Sequence, residues 1–398
     1  MNSVLTLEDL GLDRLRGETV LVRVDFNVPL KDGRVGDETR IVEALPTIRE
    51  LAAAGAKLLL CSHCGRPKGE RNPKYSLAPV AARLGELLQQ EVVFAEDCVG
   101  EPAARAAAAL GAGGVALLEN LRYHAGEEKC DPEFARALAA PASCYVDDAF
   151  GAAHRAHASI TGVVEHLPRR AAGRLVVREV AALSKLLGEP ERPFVAILGG
   201  AKIEGKIDTL ENLLPRLDAL LVGGGMANTF LAAHGYEMGA SLVERERLGL
   251  ASEILRRAVE LGVELVLPTD VVVTESLDRA EGVATVPADE IPARSMAVDV
   301  GPETRAAFAD AIASARTLFW NGPLGVFEKP PFDEGTRAVA GALADCPGFT
   351  LIGGGETVAA ARQAGIADRL GHVSTGGGAS LEFLAGRELP GLAVLARS

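Results

Sequence analysis

Short runs of aliphatic and β-branched residues recur along almost the whole chain, each followed by a stretch that is Ala-rich or carries apolar positions at helical spacing. This alternation is the pattern of a parallel sheet flanked by helices. In the first half it predicts strands at 19–26 ("TVLVRVDF"), 56–63, 91–97, 114–120 and 144–150. In the second half it predicts strands at 192–200, 218–225, 263–273, 316–322 and 349–355. Between the two series, "RLVVREVAALSKLLGEP" (174–190) spaces its apolar residues as one face of a helix and stops at Gly188 and Pro190. The expectation is an α/β protein with two doubly wound parallel-sheet domains joined by a helix.

Length and composition agree with that division. A chain of 398 residues exceeds what one hydrophobic core ordinarily organises, and 48% hydrophobic with 24% charged residues is the balance of a globular protein. Aromatics make up 4% and the net charge is −13, so neither base stacking nor phosphate-backbone attraction is available and no nucleic-acid partner is expected. The amino terminus "MNSVLTLEDLGLDRL" has neither a basic nor an apolar targeting region, and no stretch stays apolar for the roughly 18 residues of a membrane span. A cytoplasmic protein with no membrane association is therefore expected, with its six cysteines kept as thiols. "CSHC" (61–64) is not followed by a second closely spaced Cys/His pair, so structural zinc is not expected. No heptad or long apolar helix demands a partner, and a monomer is the default.

Ligands of such sheets bind outside the carboxyl ends of the strands. In the first half those ends and loops carry Arg23, Asp25 and Asn27, then His63 and Arg66, then Arg122 and His124, then His154, Arg155 and His157, with Arg40 at the start of the helix after the first strand. Any one arginine there could pair with a surface carboxylate. Guanidinium groups at four strand ends instead suit a small, multiply charged anion.

The second half repeats strand, triple glycine, helix at 223–225, 353–355 and 376–378, with "LGGAK" as a shorter relative. Turns without Cβ atoms let backbone N–H groups approach a phosphate at a helix N-terminus, which favours a nucleotide. "ILGGAKIEGKID" (197–208) nearly spells a phosphate-binding loop, but Ile207 stands where a metal-binding hydroxyl is needed. A helix beginning after Gly200 would set Lys202 and Lys206 as neighbours at i and i+4 on one face. "WNGPLGVFE" (320–328) delivers Glu328 after a rigid turn, either to ribose hydroxyls or to solvent; spacing leaves both open. No G-x-G-x-x-G follows the first strand, which argues against a nicotinamide-dependent dehydrogenase.

The motifs "RVDFNVPL", "SHCGRPKGERNPKYSLAPVA", "LLENLRYH", "DDAFGAAHRAHAS", "LGGAKIEGKID", "VGGGMANTF", "WNGPLGVFE", "IGGGETVAA" and "HVSTGGGASLE" occur in the order found in phosphoglycerate kinases, and the resemblance covers essentially the whole chain. It implies two Rossmann-like domains facing each other over a hinge-bending cleft. Their expected extents are 1–172, completed by the returning segment from about 378 to 398, and 190–377, with a connecting helix over 173–189. It also implies reversible Mg²⁺-dependent phosphoryl transfer between 1,3-bisphosphoglycerate and ADP, giving 3-phosphoglycerate and ATP.

The resemblance places the sugar phosphate on Asp25, Phe26, Asn27, Arg40, His63, Cys64, Gly65, Arg66, Arg122 and Arg155. It places the nucleotide on Gly200, Lys202, Lys206, Gly224, Gly225, Asn321, Glu328, Gly353, Gly354, Gly355, Glu356 and Thr357. Arg40 and Lys202 are the implied catalytic groups, Lys202 resembling the family's lysine that follows the migrating phosphoryl. Glu356 is the implied metal ligand, where the family usually has Asp. Cys64 stands where an aliphatic residue is common and Ala152 where Thr is common. In the ATP-consuming direction the attacking carboxylate is already ionised, so no general base is required.

Overall fold

The computed structural model describes residues 4–278 and 282–397. It divides into two compact units: one built from the residues through Ala181 together with those from Glu388 onward, the other from Ala182–Arg387.

The first unit contains β1 (Thr19–Val24), a small hairpin of β2 (Leu30–Lys31) and β3 (Arg34–Val35), and then β4 (Lys57–Cys61), β5 (Val92–Ala95), β6 (Val115–Leu118), β7 (Cys144–Asp148) and β8 (Arg170–Ala172). Apart from the hairpin they form one sheet in the order β5-β6-β4-β1-β7-β8, every pair parallel. Both faces are covered. Val20, Val22, Leu58 and Leu60 pack into one core with Ile41 and Ile48, whereas Leu21, Leu59, Ala116 and Tyr145 point into the other. Such strands read as unbroken apolar runs because neither face meets water. Each fully buried aliphatic side chain contributes about 1.5–3 kcal/mol, against ~0–1 kcal/mol for an exposed ion pair, so the core fixes the strand ends that carry the site.

The strand β8 has only three residues and gave no periodic signal. Its place depends on remote chain: the Ala172 N–H donates to Leu5 O, the Leu5 N–H donates to Leu395 O, and Val4 pairs with Ala396. Arg170 Nε donates to Val394 O at 2.6 Å, and the Gly391 N–H donates to Ala153 O. The chain re-enters this unit at Glu388 rather than near 378. The helix Gly378–Leu384 stays with the second unit because Thr209 and Asn212 donate to Leu381 O and Leu384 O. The helix Arg174–Leu187 carries the chain onward from β8. Its first turn is capped by Asp148, whose Oδ1 accepts from the Leu175 N–H at 2.8 Å.

The second unit contains β9 (Phe194–Leu198), β10 (Ala219–Val222), β11 (Glu264–Val266), β12 (Asp270–Thr274), β13 (Ala284–Pro287), β14 (Met296–Val300), β15 (Thr317–Asn321), β16 (Phe349–Gly353) and β17 (His372–Val373). Its parallel sheet runs β11-β10-β9-β15-β16-β17. Strand order reverses between β9 and β15, so the crevice at their carboxyl ends is the topological switch point where such sheets bind ligands.

The run 263–273, expected as one strand, is two. Pro268, lacking an N–H, ends the parallel ladder after β11, and β12 joins the antiparallel sheet β13-β12-β14. Asp270 fixes the break, its carboxylate accepting from the N–H groups of Glu303 and Thr304 at the start of the helix Pro302–Ser314.

Candidate active site

In the first unit, β1 ends in "RVDFN" and the chain turns so that alternate side chains leave the core. Asp25 is buried and accepts from Arg40 Nη1 at 2.8 Å; Arg40, the second residue of the helix Thr39–Ala53, also reaches Asn27 O at 3.4 Å. Asn27 Oδ1 accepts from the Gly65 N–H at 2.9 Å, joining the loops after β1 and β4. Gly65 O in turn accepts from Arg122 Nη1 at 2.8 Å.

Arg122 is almost wholly buried. Its Nε lies 3.2 Å from Glu128 Oε1 but out of hydrogen-bond alignment, and both Nε and Nη2 are left without a hydrogen-bond partner. A buried guanidinium with spare donors is costly unless an anion completes it. Burial, and after it the charges of Arg155 and Arg23, hold Arg122 below the usual arginine range. His63 is surrounded in the same way. Burial first, then Arg23, Arg122, Arg155 and Arg40, hold its imidazole well below the ordinary histidine range. Four guanidinium groups from four segments thus converge on one imidazole.

Some expected residues behave differently. Phe26 and Cys64 turn their side chains into the core, and the Cys64 thiol is pushed up to about 11 by burial. They can offer a ligand only backbone atoms, and Phe26 N–H is already spent on Ser62 Oγ at 2.8 Å. Arg66 is exposed on the same loop. Arg155 is half-buried and donates from Nε to His154 Nε2 at 3.2 Å. His124 is not part of the cradle: it pairs with Asp97 at 2.7 Å and stacks on Phe134. Asp97, Cys98 and His124 bring three ligating atoms within 4.8 Å of one another. Burial pushes the Cys98 thiol well above its ordinary range, which disfavours the thiolate a metal needs, and the hydrogen bond between His124 and Asp97 accounts for the arrangement.

In the second unit the loops after β9, β10, β15 and β16 surround a cavity of about 320 Å³ lined by Gly200, Gly224, Gly225, Pro323, Glu328 and Glu356 among others. The rest of its lining is mostly aliphatic, including Leu242, Val271, Met296 and Leu324, with Asn228 and Asp299 as its polar members. The glycine turns are not equivalent. Gly224 has φ +64°, and a Cβ there would come within 2.8 Å of both N and O of Gly200, so this turn exists to let two loops pack. Its N–H is spent on Leu324 O. Of the glycines at 353–355 only Gly355 is open: nothing lies within 4 Å of a Cβ built on it, whereas one on Gly354 would come within 3.0 Å of Asn321 Nδ2. Gly355 and the exposed Glu356 begin the helix Gly355–Gln363, whose first-turn N–H groups have no intrahelical acceptor, as an anion site requires.

Lys202 and Lys206 are not neighbours on a helix. The helix begins only at Ile207, because Gly200 and Gly205 take positive φ and Ile203 is drawn into the core with its N–H on Glu244 Oε2. Lys206 folds back to donate from Nζ to Gly199 O and, at 3.2 Å, to Asn321 O. Burial pulls its ammonium down to about 8, with Glu356 acting in the opposite sense. Lys202 stands exposed on the intervening turn.

Glu356 is exposed in the first turn of its helix. An exposed carboxylate at a helix N-terminus fits Mg²⁺, which takes one or two carboxylates and completes its shell with phosphate oxygens and water.

One positioning group escaped the sequence reading. Asn120 accepts at Oδ1 from the N–H groups of Cys64 and Arg122 and donates from Nδ2 to Cys64 O and Tyr75 O, so it holds the loops after β4 and β6 in register. Thr357, expected at the nucleotide, is fully buried and accepts from the Gly322 N–H at 2.6 Å, while Asn321 Nδ2 donates to Gly353 O at 2.8 Å. The Thr357 and Asn321 side chains tie the β15 and β16 loops together.

A family model for phosphoglycerate kinase matches residues 7–387. The phosphoglycerate kinase of Moorella thermoacetica is 54% identical over 391 residues, 98% of each chain. That of Thermus thermophilus is 56% identical over 96% of this chain and 97% of its own. Among solved structures, phosphoglycerate kinase from Coxiella burnetii superposes with a TM-score of 0.89 at 41% identity, covering 99% of both chains. The Pyrococcus horikoshii enzyme gives 0.86 at 34% identity over 98% of both.

Proposed function

The chain belongs to the phosphoglycerate kinase family, and from that premise we propose how its own residues carry the glycolytic transfer of a phosphoryl group between 1,3-bisphosphoglycerate and ADP. The observation that carries the reading is that each unit carries its own, unlike set of groups suited to an anion: in the first, guanidinium groups acting on His63, and in the second, glycine turns with a buried lysine.

Asp25, Asn27, Arg40, His63, Gly65, Arg66, Arg122 and Arg155 hold 3-phosphoglycerate or its acyl phosphate in this reading. The spare donors of Arg122 support it, since they need an anion to complete them. The cavity between the β9, β10, β15 and β16 loops takes the nucleotide, its aliphatic walls against the base, Glu328 toward the ribose hydroxyls, and Lys206 with the Gly353–Thr357 turn toward the phosphates.

In the ATP-consuming direction a carboxylate oxygen of 3-phosphoglycerate forms a bond to the γ-phosphorus as the bond from phosphorus to the β–γ bridging oxygen breaks, leaving ADP. The nucleophile needs no deprotonation. What remains is positioning and neutralisation of charge on the equatorial oxygens. Lys202, exposed and unanchored, has the reach to follow the migrating group. Arg40, steered by Asp25, meets it from the acceptor side. Glu356 would hold Mg²⁺, which neutralises phosphate charge when bound.

The proposal also keeps the protein monomeric and in the cytoplasm, in line with the family's place in glycolysis. Among the described residues no helix is long and apolar enough to cross a membrane. A coupled assay for ATP formation from 1,3-bisphosphoglycerate and ADP tests the whole: purified protein with no such activity would refute it.

A further inference from the structure

Behind the cradle of the first unit a buried chain of polar groups runs from Glu127 to His63. Glu127 is fully buried in the short helix Ala125–Glu128; its Oε1 accepts from Ser159 Oγ at 2.6 Å and its Oε2 from the Ser159 N–H at 2.9 Å. His157 Nδ1 stands 3.7 Å from the same carboxylate. Burial pushes this carboxyl up, yet His157, Arg23 and Ser159 together hold it below its ordinary range, so it is an anion. Ser159, its one proton committed to Glu127, accepts from Arg23 Nε at 2.9 Å. Arg23, only 1% exposed, donates from Nη1 to Val24 O and places Nη2 3.0 Å from His63 Nδ1.

The direction of every proton in this chain is determined. A guanidinium has donors and no acceptor, so the contact with Nδ1 exists only if that nitrogen offers its lone pair. The single ring proton of His63 must then sit on Nε2. We propose that Arg23, itself out of reach of solvent, is a positioning residue that locks His63 as the neutral Nε2–H tautomer, making it a fixed, uncharged donor for the anionic substrate.

Protonating Nδ1 would set an N–H against an N–H beside a buried cation. The groups facing His63 from its neighbours act in the same sense: Arg122 after β6, Arg155 after β7, and Arg40 on the helix after β1, whose charge Asp25 offsets in part. The lock therefore persists when substrate binds. An arginine-lined site obtains a donor of fixed direction without a further positive charge to desolvate, and that donor does not fade as pH rises past the histidine range. The functional half of this inference rests on the proposed place of His63 in the substrate site; the tautomer does not.

Long-range ¹H–¹⁵N correlation spectra of the intact ¹⁵N-histidine-labelled enzyme test the tautomer, with the His63 signals assigned by their loss in His63→Gln. The expected result is an unprotonated Nδ1 and a protonated Nε2 whose shifts stay constant from pH 6 to 8, with and without 3-phosphoglycerate. A proton on Nδ1, or a titration within that range, would overturn the proposal.

In Arg23→Met the His63 signals should recover a titration between pH 6 and 8. The ratio of variant to wild-type Kd for 3-phosphoglycerate should fall about fivefold or more as pH drops across that interval, since a new charge appears on the ring. Dividing by the wild-type value cancels the titration of the substrate's own phosphate. An unchanged, non-titrating His63 in a folded variant would refute the role of Arg23; if the variant does not fold, the wild-type spectra alone decide the tautomer. Unaltered 3-phosphoglycerate affinity in His63→Gln would instead remove His63 from the substrate site.

Discussion

Lys206 Nζ lies 3.2 Å from the carbonyl oxygen of Asn321, folded back beneath the end of β15 instead of standing beside Lys202. Two backbone carbonyls and a glycine-lined wall replace most of the water this ammonium would hold, and that is why it is poised near neutrality. Lys206 is built as a fixed group and Lys202 as a free one.

The first expectation concerns protons. With the Lys206 pKa at about 8 in the free protein, about half of this group is neutral at pH 8, and nucleotide phosphates beside it raise the value again. ADP binding at pH 8 should take up about half a proton through Lys206, and the Lys206 contribution, read as the difference from Lys206→Met, should vanish near pH 6.5. Calorimetric titrations of both proteins in buffers of different ionisation enthalpy measure that difference. Proton release at pH 8 would contradict the assignment.

Lys202→Ala should separate turnover from binding. Loss of a donor that acts on the phosphoryl in flight costs about 3–4 kcal/mol, so kcat should fall roughly 10²–10³-fold. The Kd for ADP should change by less than about threefold, because the exposed side chain braces nothing in the nucleotide cavity. Equal losses in both would assign Lys202 to ground-state binding.

Arg122→Ala should weaken 3-phosphoglycerate by about 1.5–3 kcal/mol, roughly ten- to a hundredfold, the worth of a charged hydrogen bond in a buried setting. ADP affinity should be untouched, as titration of each ligand separately would show. Arg122 also braces Gly65, so Arg122→Lys is the control: it keeps the charge and loses the fork, and intermediate affinity is expected.

Asp299, packed against the loop residue Gly325 and against Gly335 in the first turn of the helix Glu334–Ala344, is pushed up to about 7 by burial. Its folded pKa exceeds its unfolded value, so its contribution to stability is fully present below about pH 4 and is lost as pH rises through 7. Asp299→Asn removes the titration but gives up one acceptor for the Gly335 and Val300 N–H groups. The variant should be the less stable form at pH 5, and the gap should narrow by roughly 2–3 kcal/mol by pH 8. Chemical denaturation at the two values tests this; a constant gap would show that Asp299 is ionised throughout.

Both parallel sheets were legible because strands buried on two faces leave short, nearly unbroken apolar runs such as "TVLVRV" and "FVAIL", alternating regularly with helical stretches. The antiparallel sheet around β12 was not, since "VELVLPTDVVV" is continuous in hydrophobicity and only the missing N–H of Pro268 breaks it. The same holds at the site. Arginines and glycine turns announce themselves by residue type, but which of them face a ligand is a tertiary matter. Gly223–Gly225 and Gly353–Gly355 are identical in sequence, yet every glycine of the first is packed against another loop whereas Gly355 of the second has open space beside it. Arg23 looked like one more cation on the rim and is instead buried behind it. Asn120 carried no signal beyond lying between Glu119 and Leu121, because three of its four side-chain hydrogen bonds reach residues distant in sequence.

The edge of the first unit is closed by residues from both ends of the chain, Val4 and Leu5 meeting Leu395 and Ala396 beside β8. Those residues are separated in sequence by the whole of the second unit, which is itself one uninterrupted stretch. The first unit therefore cannot complete its outer edge until the chain has passed through the second, and removing the residues from Glu388 onward would leave the second unit whole while taking from β8 the seal of its outer strand.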